Sequence, residues 1–504
     1  MIKVEELKLV IEPRASSVLT KVRNFLTSQN IKSYLVGGFV RDMLLGRDTA
    51  DIDIAVAADA LEVASKITTV IGGKYVPLDE INRVGRVVLA NEGTDSTRGR
   101  LELDFSTLKG DIEQDLAQRD FTIDAIAIDL KELAKGYTDF QLIDPFNGWN
   151  DLRQKVLRAV SETALKSDAI RLLRAARLAA ELGFSIDKET EALIQRDSYL
   201  VATVAGERIR EELLRLLAIP RAEPLLFYLD ELSLVTATIP ELAQTKGITQ
   251  PKEHFWDVFD HSIKTVVAVD FLLRQGAWEY ASEETLTTTP WSALLAQHFE
   301  QEVSHGSSRR SLLKLAALLH DIAKPQTKTI DADGRMRFLE HAKEGAAIAA
   351  SILERLRFSA KEVKLVELMV RHHLRPGQMS HDGLPSRRAI YRYFRDAGEA
   401  GIDILFLSLA DHLATRGPHL NLAQWQEHAQ MAEYVLAQRL EQESVVIPPK
   451  LVDGHDLINI LGMSPGPEIG ELLEAVREAQ AAGELTTKEE ALAYLRERLP
   501  NETG

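Results

Sequence analysis

Two carboxylates stand two positions apart in a stretch with strand character, at Asp51 and Asp53. Side chains at positions i and i+2 of a strand point to the same face, so these carboxylates are expected to converge. Converging oxygen ligands favour Mg²⁺ and the chemistry of phosphoryl or nucleotidyl transfer. Asp104 lies on a later strand-like run and is expected to be a third catalytic carboxylate, because a two-metal site needs more than two anionic ligands.

A predicted phosphate cradle precedes the two aspartates. Gly37 and Gly38 follow a short apolar run and lead into a predicted helix over residues 40–45. Backbone N–H groups at such a helix start can point at phosphate oxygens. Arg41 in the first turn of that helix and Arg119 further along the chain are therefore expected to bind a triphosphate through their guanidinium groups.

A third set of polar residues could select a base. Asp168, Arg171, Arg174 and Arg177 recur every three residues, so we expect them along one face of a helix. Asp168 offers only acceptors and Arg171 only donors, and together they could read C and A while rejecting G and U. Arg174 and Arg177 would then bind triphosphate or stack near the base. From this helix alone, an i,i+3 salt bridge on a solvated face is the simpler interpretation.

The second half of the chain holds another group of metal-ligand residue types. Each candidate stands at or near the end of a predicted helix, and imidazoles mixed with carboxylates suit a divalent transition metal. The candidate ligands are His261, His320, Asp321, His341, His372 and Asp411. His373 directly follows His372, and the pattern leaves open which of these two histidines is the ligand. The chain has no cysteine, which excludes disulfides and thiolate zinc sites.

The elements that must position these residues change character along the chain. Strand-like runs alternate with short helices over roughly residues 30–140 and predict a small mixed α/β domain, after which the pattern is almost wholly helical. At 504 residues the chain is too long for one core, and roughly three to four domains are expected. The predicted domains are a head over residues 1–143, a helical neck over 144–225, a helical body over 226–425 and a helical tail over 426–504.

Composition narrows the classes of partner. No apolar run approaches the roughly 18 residues of a membrane span, and the charged N-terminus lacks the apolar core of a signal peptide. We therefore predict a cytoplasmic protein with no membrane partner, and we predict no protein partner either. A net charge of −16 argues against a broadly basic nucleic-acid binder, although Arg208, Arg210 and Arg215 form a local stripe along which RNA phosphates could lie.

Taken together, the motifs resemble those of class II tRNA nucleotidyltransferases and bacterial poly(A) polymerases of the DNA polymerase β superfamily. Residues 35–53 are similar to their head signature and read L-V-G-G-F-V-R-D-M-L-L-G-R-D-T-A-D-I-D. Residues 118–127 resemble the family motif R-R-D-F-T-x-N-A, with Gln118 and Asp124 as departures from it. The histidine and aspartate pattern of the second half resembles the HD-domain metal-dependent phosphohydrolases of the dinuclear type.

This resemblance implies a polymerase β-like head and a template-independent enzyme that adds C and/or A from CTP and ATP to the tRNA 3′ end with Mg²⁺. It places the metals on Asp51 and Asp53, matches Asp104 to the third carboxylate, and matches Asp168 and Arg171 to the protein pair that replaces a template. It further implies phosphatase or phosphodiesterase chemistry for the HD domain and a tail that docks the tRNA elbow.

Several functions stay open at this stage. A poly(A) polymerase on the same scaffold differs only in RNA substrate and product length, and a phosphohydrolase working mainly through the HD half would use the head for RNA binding alone. A non-catalytic RNA-binding module is disfavoured by two full sets of metal ligands. The segment 109–115 is short where relatives that add the whole CCA sequence usually carry a longer flexible loop, which favours an enzyme that adds only CC.

Overall fold

The computed structural model of the chain describes residues 2–3, 12–49, 51–90, 101–135, 140–220, 222–304, 306–379, 383–441 and 449–499. The chain forms two compact units, Met1–Val204 and Ala205–Gly504. The predicted fold class, a mixed α/β head followed by helical segments, is confirmed. The finer domain limits at residues 143, 225 and 425 remain predictions. Among the described residues, no helix is long and apolar enough to cross a bilayer.

The first unit is built around one mixed sheet. Within the described residues its strands run in the order β1-β8-β7-β2-β3-β6-β5-β4. The strands are β1 (Ile2–Lys3), β2 (Ser33–Val36), β3 (Asp51–Val56), β4 (Lys74–Asp79), β5 (Val84–Leu89), β6 (Leu101–Thr107), β7 (Ala127–Asp129) and β8 (Gln141–Ile143). All of these strands but the short β1 and β8 lie in the range 30–140, where strand-like runs were expected.

Helices and two short strands complete this unit. They are α1 (Pro13–Ser28), α2 (Gly37–Leu44), α3 (Ala60–Ile71), α4 (Ile112–Leu116), α5 (Gly148–Gln154), β9 (Val156–Leu157), α6 (Glu162–Ser167), α7 (Ile170–Leu182), β10 (Ser185–Ile186) and α8 (Lys188–Asp197). The helix predicted over residues 40–45 in fact begins at Gly37, so the two glycines form its first turn instead of a loop before it.

Strands β3 and β6 are parallel neighbours at the centre of the sheet. Ile52 and Ile54 are fully buried on one face of β3, and their alternation with Asp51 and Asp53 turns both aspartates to the other face. In the register of this pair, Asp53 lies beside Asp104. The sheet core therefore fixes the direction of the acidic side chains.

In its described residues, the second unit is helical apart from two small hairpins. Its helices are α9 (Gly206–Ala218), α10 (Ala222–Glu231), α11 (Leu234–Thr238), α12 (Val258–Leu272), α13 (Glu283–Thr287), α14 (Ala293–Glu300), α15 (Arg309–Leu319), α16 (Lys324–Thr327), α17 (His341–Arg355), α18 (Ala360–His372), α19 (Arg375–Met379), α20 (Arg387–Ala397), α21 (Gly401–Arg416), α22 (Leu422–Glu441), α23 (Gly454–Leu461), α24 (Pro467–Ala481) and α25 (Lys488–Arg496). The hairpins pair β11 (Glu302–Ser304) with β12 (Ser307–Ser308) and β13 (Lys328–Ile330) with β14 (Met336–Phe338).

Helices α12, α15 and α21 form the buried centre of the second unit. Nearly every residue of α12 is buried, including His261, which shows that helix surrounded by other elements on all sides. The last three helices, α23 to α25, share an apolar cluster made of their own residues, such as Leu457, Val476 and Leu495. The segment 449–499 thus has a small core of its own.

Candidate active site and metal centre

One face of the sheet in the first unit gathers acidic side chains. Asp51 and Asp53 on β3 stand beside Glu102 and Asp104 on β6, each pair in direct register. Four oxygen-donor side chains on one face fit a hard cation such as Mg²⁺, which takes carboxylate ligands. Glu102 was not among the predicted site residues, although its position two before Asp104 on an alternating strand puts it on the same face.

Arg86 on β5 binds the far edge of this acidic face. Its Nε lies 2.7 Å from Oδ1 of Asp104, and its Nη2 lies 2.8 Å from Oδ2 of the same carboxylate. Its Nη1 forms an ion pair with Glu102. Both oxygens of the predicted third catalytic carboxylate are therefore engaged by one guanidinium.

Asp53 lies against the glycine turn. A Cβ built on Gly37 would lie 3.1 Å from Oδ2 of Asp53 and 2.7 Å from Nη1 of Arg119, and Gly37 has a φ of +69°. Only glycine fits this close approach without strain. The helix start, Arg119 and Asp53 are thus brought together, and metal binding by Asp53 and triphosphate binding by Gly37 and Arg119 remain predictions.

Burial changes the acidity of Asp53. It raises the pKa of Asp53 to about 6; Arg119 opposes this shift, and Asp104, Asp124 and Asp51 add to it. A cation placed among these carboxylates would remove that penalty, because it stabilises the charged form. The shift therefore agrees with a site that is completed by a metal ion.

Arg41 has its donors engaged by carboxylates. Its Nε and Nη2 donate to Asp42 at 2.9 and 3.0 Å, and its Nη1 donates to Asp124 at 2.8 Å. Gly38 lies at the base of this group, since a Cβ there would be 3.4 Å from Nη2 of Arg41. Phosphate binding by Gly38 and Arg41 remains a prediction, and Arg41 would have to exchange a carboxylate for the phosphate.

The predicted base-selecting residues do not share one helix face. Asp168 lies outside α7 in an extended conformation, because α6 ends at Ser167 and α7 begins only at Ile170. The carboxylate of Asp168 is 3.9 Å from Nε of Arg171, so the two side chains are adjacent without a hydrogen bond between these atoms. Arg171 donates from Nη1 to the carbonyl of Ala164 at 2.7 Å.

The other two arginines of this set are held by carboxylates of the same unit. Arg174 donates to Asp120 at 3.0 Å, and this bond connects α7 to the segment 118–127. Arg177 is buried and donates to Glu181 at 2.6 Å. Arg174 is therefore better placed than Arg177 to face a ligand, and nucleotide binding by either residue remains a prediction.

The second unit contains a buried cage of imidazoles and carboxylates. Nε2 of His261 lies 3.2 Å from Nε2 of His320, 3.1 Å from Oδ1 of Asp411 and 3.5 Å from Oδ2 of Asp321. On the other side of Asp321, Oδ1 is 3.4 Å from Nε2 of His341. Asp321 thus directs one oxygen to each of two ligand groups, as a carboxylate that bridges two metal ions would.

His373, and not His372, completes the second group. Nε2 of His373 lies 3.4 Å from Nε2 of His341 and 3.9 Å from Oδ1 of Asp321. His372, the residue chosen in the sequence prediction, is the last residue of α18 and is only half-buried. Successive helical residues differ in direction by about 100°, so only one of two adjacent histidines can face the cage.

Backbone carbonyls fix the ring orientation of three cage histidines through their Nδ1 atoms. The Nδ1 atoms of His320, His341 and His373 lie 2.7–2.8 Å from the carbonyls of Ala317, Phe338 and Val370, respectively. A proton on Nδ1 that is donated to a carbonyl leaves Nε2 as a lone-pair donor, which is the usual arrangement of metal-ligating histidine. Each of these Nε2 atoms points into the cage.

The electrostatics of the cage differ between its rings. Burial lowers the pKa of His373 to about 3, so this ring is neutral at physiological pH. Burial alone would raise the pKa of Asp321, but His320 and Lys324 beside it hold that pKa well below its ordinary value. Lys324 lies 2.6 Å from Oδ2 of Asp321. Burial alone would lower the pKa of His320, but Asp321 and Asp411 beside it raise that pKa. A divalent transition metal would therefore bind a charged carboxylate and displace the proton of His320.

Known protein families match the α/β head and the helical part of the chain separately. Residues 33–158 match the poly A polymerase head domain, and residues 183–245 match the family described as "Probable RNA and SrmB- binding site of polymerase A". Residues 285–416 match the HD domain, and residues 413–495 match domain 2 of tRNA nucleotidyltransferases.

Two curated relatives extend over nearly the whole chain. The A-adding tRNA nucleotidyltransferase of Deinococcus radiodurans is 35% identical over 92% of this chain and 94% of its own length. The CC-adding tRNA nucleotidyltransferase of Thermus thermophilus is also 35% identical, over 92% of this chain and 93% of its own length. The chain belongs to the tRNA nucleotidyltransferase family. The predicted family and enzyme class are thereby confirmed.

The fold of this tRNA nucleotidyltransferase is also that of solved family structures. A CCA-adding enzyme in its apo form covers 100% of this chain and 99% of its own, with a TM-score of 0.64 at 21% identity. At this identity the likeness concerns the fold, and it agrees with a mixed head sheet followed by helices. The predicted presence of an HD domain is confirmed as well.

Proposed function

We propose that this tRNA nucleotidyltransferase adds C residues from CTP to the 3′ end of tRNA with Mg²⁺. The observation that carries the proposal is the acidic pair Asp51 and Asp53 against the Gly37 turn and Arg119, in a chain that belongs to this family. The substrates would be CTP and the tRNA 3′ end, and ATP is the alternative nucleotide. We place the reaction in the cytoplasm, the compartment expected from the sequence.

The carboxylate face would carry the transfer. Mg²⁺ bound by Asp51 and Asp53 would lower the pKa of the RNA 3′-hydroxyl and neutralise charge on the α-phosphate. The 3′-oxygen forms a bond to the α-phosphorus, the bond from the α-phosphorus to the bridging oxygen breaks, and pyrophosphate leaves. The hydroxyl proton passes to a carboxylate of the face or to water. Arg119 would hold the triphosphate, and Gly37 allows the close approach of the backbone.

Base selection is assigned to Asp168 and Arg171. Their side chains are neighbours at the start of α7, with acceptors on one and donors on the other. The Watson–Crick edges of C and A both present an exocyclic amine beside a ring acceptor, which complements this pair. G and U present the opposite pattern and would leave buried polar groups unpaired.

The short connection after β6 favours addition of CC alone. Between β6 and α4 the chain has only residues 108–111, and Lys109 N–H donates to the side chain of Asp115 at 3.3 Å. Asp111 and Gln114 close a capping box around the start of α4. This tight connection leaves no room at this point for the long flexible loop that the family resemblance associates with the switch to A. The two relatives that span nearly the whole chain are both named for partial addition, of A in one and of CC in the other.

The test offers tRNA transcripts ending at the discriminator base, at C or at CC to the protein with Mg²⁺ and labelled CTP or ATP. We expect C to be added to the first two transcripts and no A to be added to the third. The variant Asp51→Ala/Asp53→Ala should add nothing. Addition of A to the CC transcript would contradict the CC-only product. Long A tails on unrelated RNA would instead indicate a poly(A) polymerase.

The cage of the second unit supports a second proposal. We propose that it binds two divalent transition metal ions that share Asp321, with His261, His320 and Asp411 on one ion and His341 and His373 on the other. Such a site would supply a metal-activated water for phosphomonoester or phosphodiester hydrolysis. The observation that favours it is the inward direction of every Nε2 atom.

Adjacent histidines provide a matched pair of variants for this centre. His373→Ala should lower the metal content of purified protein and weaken metal affinity more than about tenfold, since it removes a direct ligand. His372→Ala should leave the metal content and the metal affinity unchanged. Metal analysis and hydrolysis of bis-p-nitrophenyl phosphate measure the two effects. Equal loss from both variants would contradict the assignment of His373.

A further inference from the structure

The salt bridge between Arg86 and Asp104 conflicts with a simple catalytic role for Asp104. The guanidinium is bidentate on the carboxylate, at 2.7 and 2.8 Å, and its third nitrogen pairs with Glu102. The side chains of Arg86 and Asp104 are 30% and 23% exposed, so the pair is shielded from water on most sides. A carboxylate engaged in this way is a weaker metal ligand, because its two oxygens already share a positive charge.

The register of the sheet explains why the arginine is there. Arg86 stands opposite Asp104 in the antiparallel pairing of β5 with β6, while Asp53 stands beside Asp104 on β3. Asp104 is therefore flanked by a cation on one side and by the metal-binding aspartates on the other. The sheet holds both neighbours in place, so the Asp104 carboxylate can bind either Arg86 or a cation held by the aspartates.

We infer that Arg86 competes with a divalent cation for Asp104. In the metal-poor protein Arg86 serves as the counter-ion of the four-carboxylate face and keeps Asp104 out of the metal site. When the site fills, Asp104 exchanges the guanidinium for the cation, and Arg86 is released toward the solvent-facing side of the sheet. Arg86 is thus a positioning residue that tunes metal loading, and it acts through Asp104.

The inference rests on the proposed Mg²⁺ role of this face, but its test needs neither RNA nor nucleotide. Mn²⁺ binding is measured by the loss of the free-ion electron paramagnetic resonance signal. The Asp51→Ala/Asp53→Ala variant shows how much of the Mn²⁺ binding belongs to the cage of the second unit. Failure of the binding test would leave tRNA extension intact, and failure of extension would leave the binding result standing, so the two are distinguishable.

A double-mutant cycle separates competition from simple charge repulsion. If Arg86 competes, Arg86→Gln should tighten Mn²⁺ binding at the head by about tenfold, the worth of one shielded charge-assisted pair. Asp104→Asn alone should weaken the affinity, because it removes a carboxylate that binds the cation in the filled site. The double variant Arg86→Gln/Asp104→Asn should bind no more tightly than Asp104→Asn alone, because the gain requires the freed carboxylate.

Two further variants control for folding and for net charge. Arg86→Lys keeps the charge but loses the fork, and it should give a gain smaller than that of Arg86→Gln. Arg83→Gln removes an arginine of the same unit that pairs with Asp59 at 2.9 Å, and it should not alter the affinity. The inference is overturned if the gain of Arg86→Gln persists with Asp104→Asn, or if Arg86→Gln weakens or leaves unchanged Mn²⁺ binding.

Discussion

At the scale of single residues, Asp53 has to be largely shielded from water and charged at once. Its pKa is raised to about 6, so the folded protein binds a proton there that the unfolded chain releases near pH 4. Between these two values the folded state holds more protons, and the stability of metal-free protein must fall as the pH rises. Above about pH 6 the full penalty for burying the charge is present.

Asp53→Asn removes this penalty. In EDTA at pH 7.5 we expect the variant to melt several degrees above the wild type, since a shift of two pKa units is worth about 3 kcal/mol. The difference should vanish near pH 4. Asp51→Asn, at an exposed position of the same strand, is the control and should change the melting temperature less. A lower melting temperature for Asp53→Asn at pH 7.5 would contradict the account.

Single residues also show where the sequence was insufficient. Arg41 was expected to face a phosphate, but its partner Asp124 lies 83 positions away and only the fold brings them together. His372 was named as a candidate ligand, but the sequence left open whether His372 or His373 faces the metal, because both stand at the end of one predicted helix. A one-residue difference in helical phase decides between them, and no composition or spacing signal reports that phase.

At the scale of elements, α2 is the structure that joins the glycine turn to the acidic strand. Its first residue, Gly37, combines a φ of +69° with the contacts to Arg119 and Asp53. Gly46, just after the same helix, has a φ of +66°, but a Cβ there would meet nothing within 4 Å. An alanine at either position would therefore strain the backbone equally, but only at Gly37 would its Cβ clash with other side chains.

Gly37→Ala and Gly46→Ala form a matched pair of variants. Each should cost about 1–2 kcal/mol of stability, because alanine in the left-handed region is strained. Only Gly37→Ala should also slow C addition, by about 10- to 100-fold, since it displaces the arginine and the metal-ligand aspartate. Equal rates for the two variants, with RNA extension as the assay, would show that the close approach at Gly37 has no catalytic role.

Regular elements were predictable from local pattern, and interruptions were not. The strand period of two placed Asp51 and Asp53 on one face correctly. The three-residue spacing from Asp168, in contrast, suggested a continuous helix. The break before Ile170 depends on how α6 and α7 pack, which the spacing does not report.

At the scale of the whole molecule, one acidic chain carries two chemically different candidate metal centres. The first is a partly exposed face of carboxylates on a sheet, and the second is a buried cage dominated by imidazoles. Hard oxygen ligands favour Mg²⁺, and imidazole favours transition metals. Each ligand set is drawn wholly from one compact unit, 1–204 or 205–504. Neither centre needs a ligand from the other unit.

The two centres should therefore be separable by mutation. Asp51→Ala/Asp53→Ala should abolish C addition and leave the transition-metal content of the protein unchanged. His261→Ala/Asp321→Ala should remove that metal and any phosphoester hydrolysis, while C addition with Mg²⁺ stays within about twofold of the wild type, as expected for sites that share no ligand. Metal analysis, hydrolysis and tRNA extension on the same three preparations measure all of these effects. Loss of C addition in the cage variant, in protein with an unchanged circular dichroism spectrum, would contradict the independence of the two centres and would mean that cage occupancy affects the head.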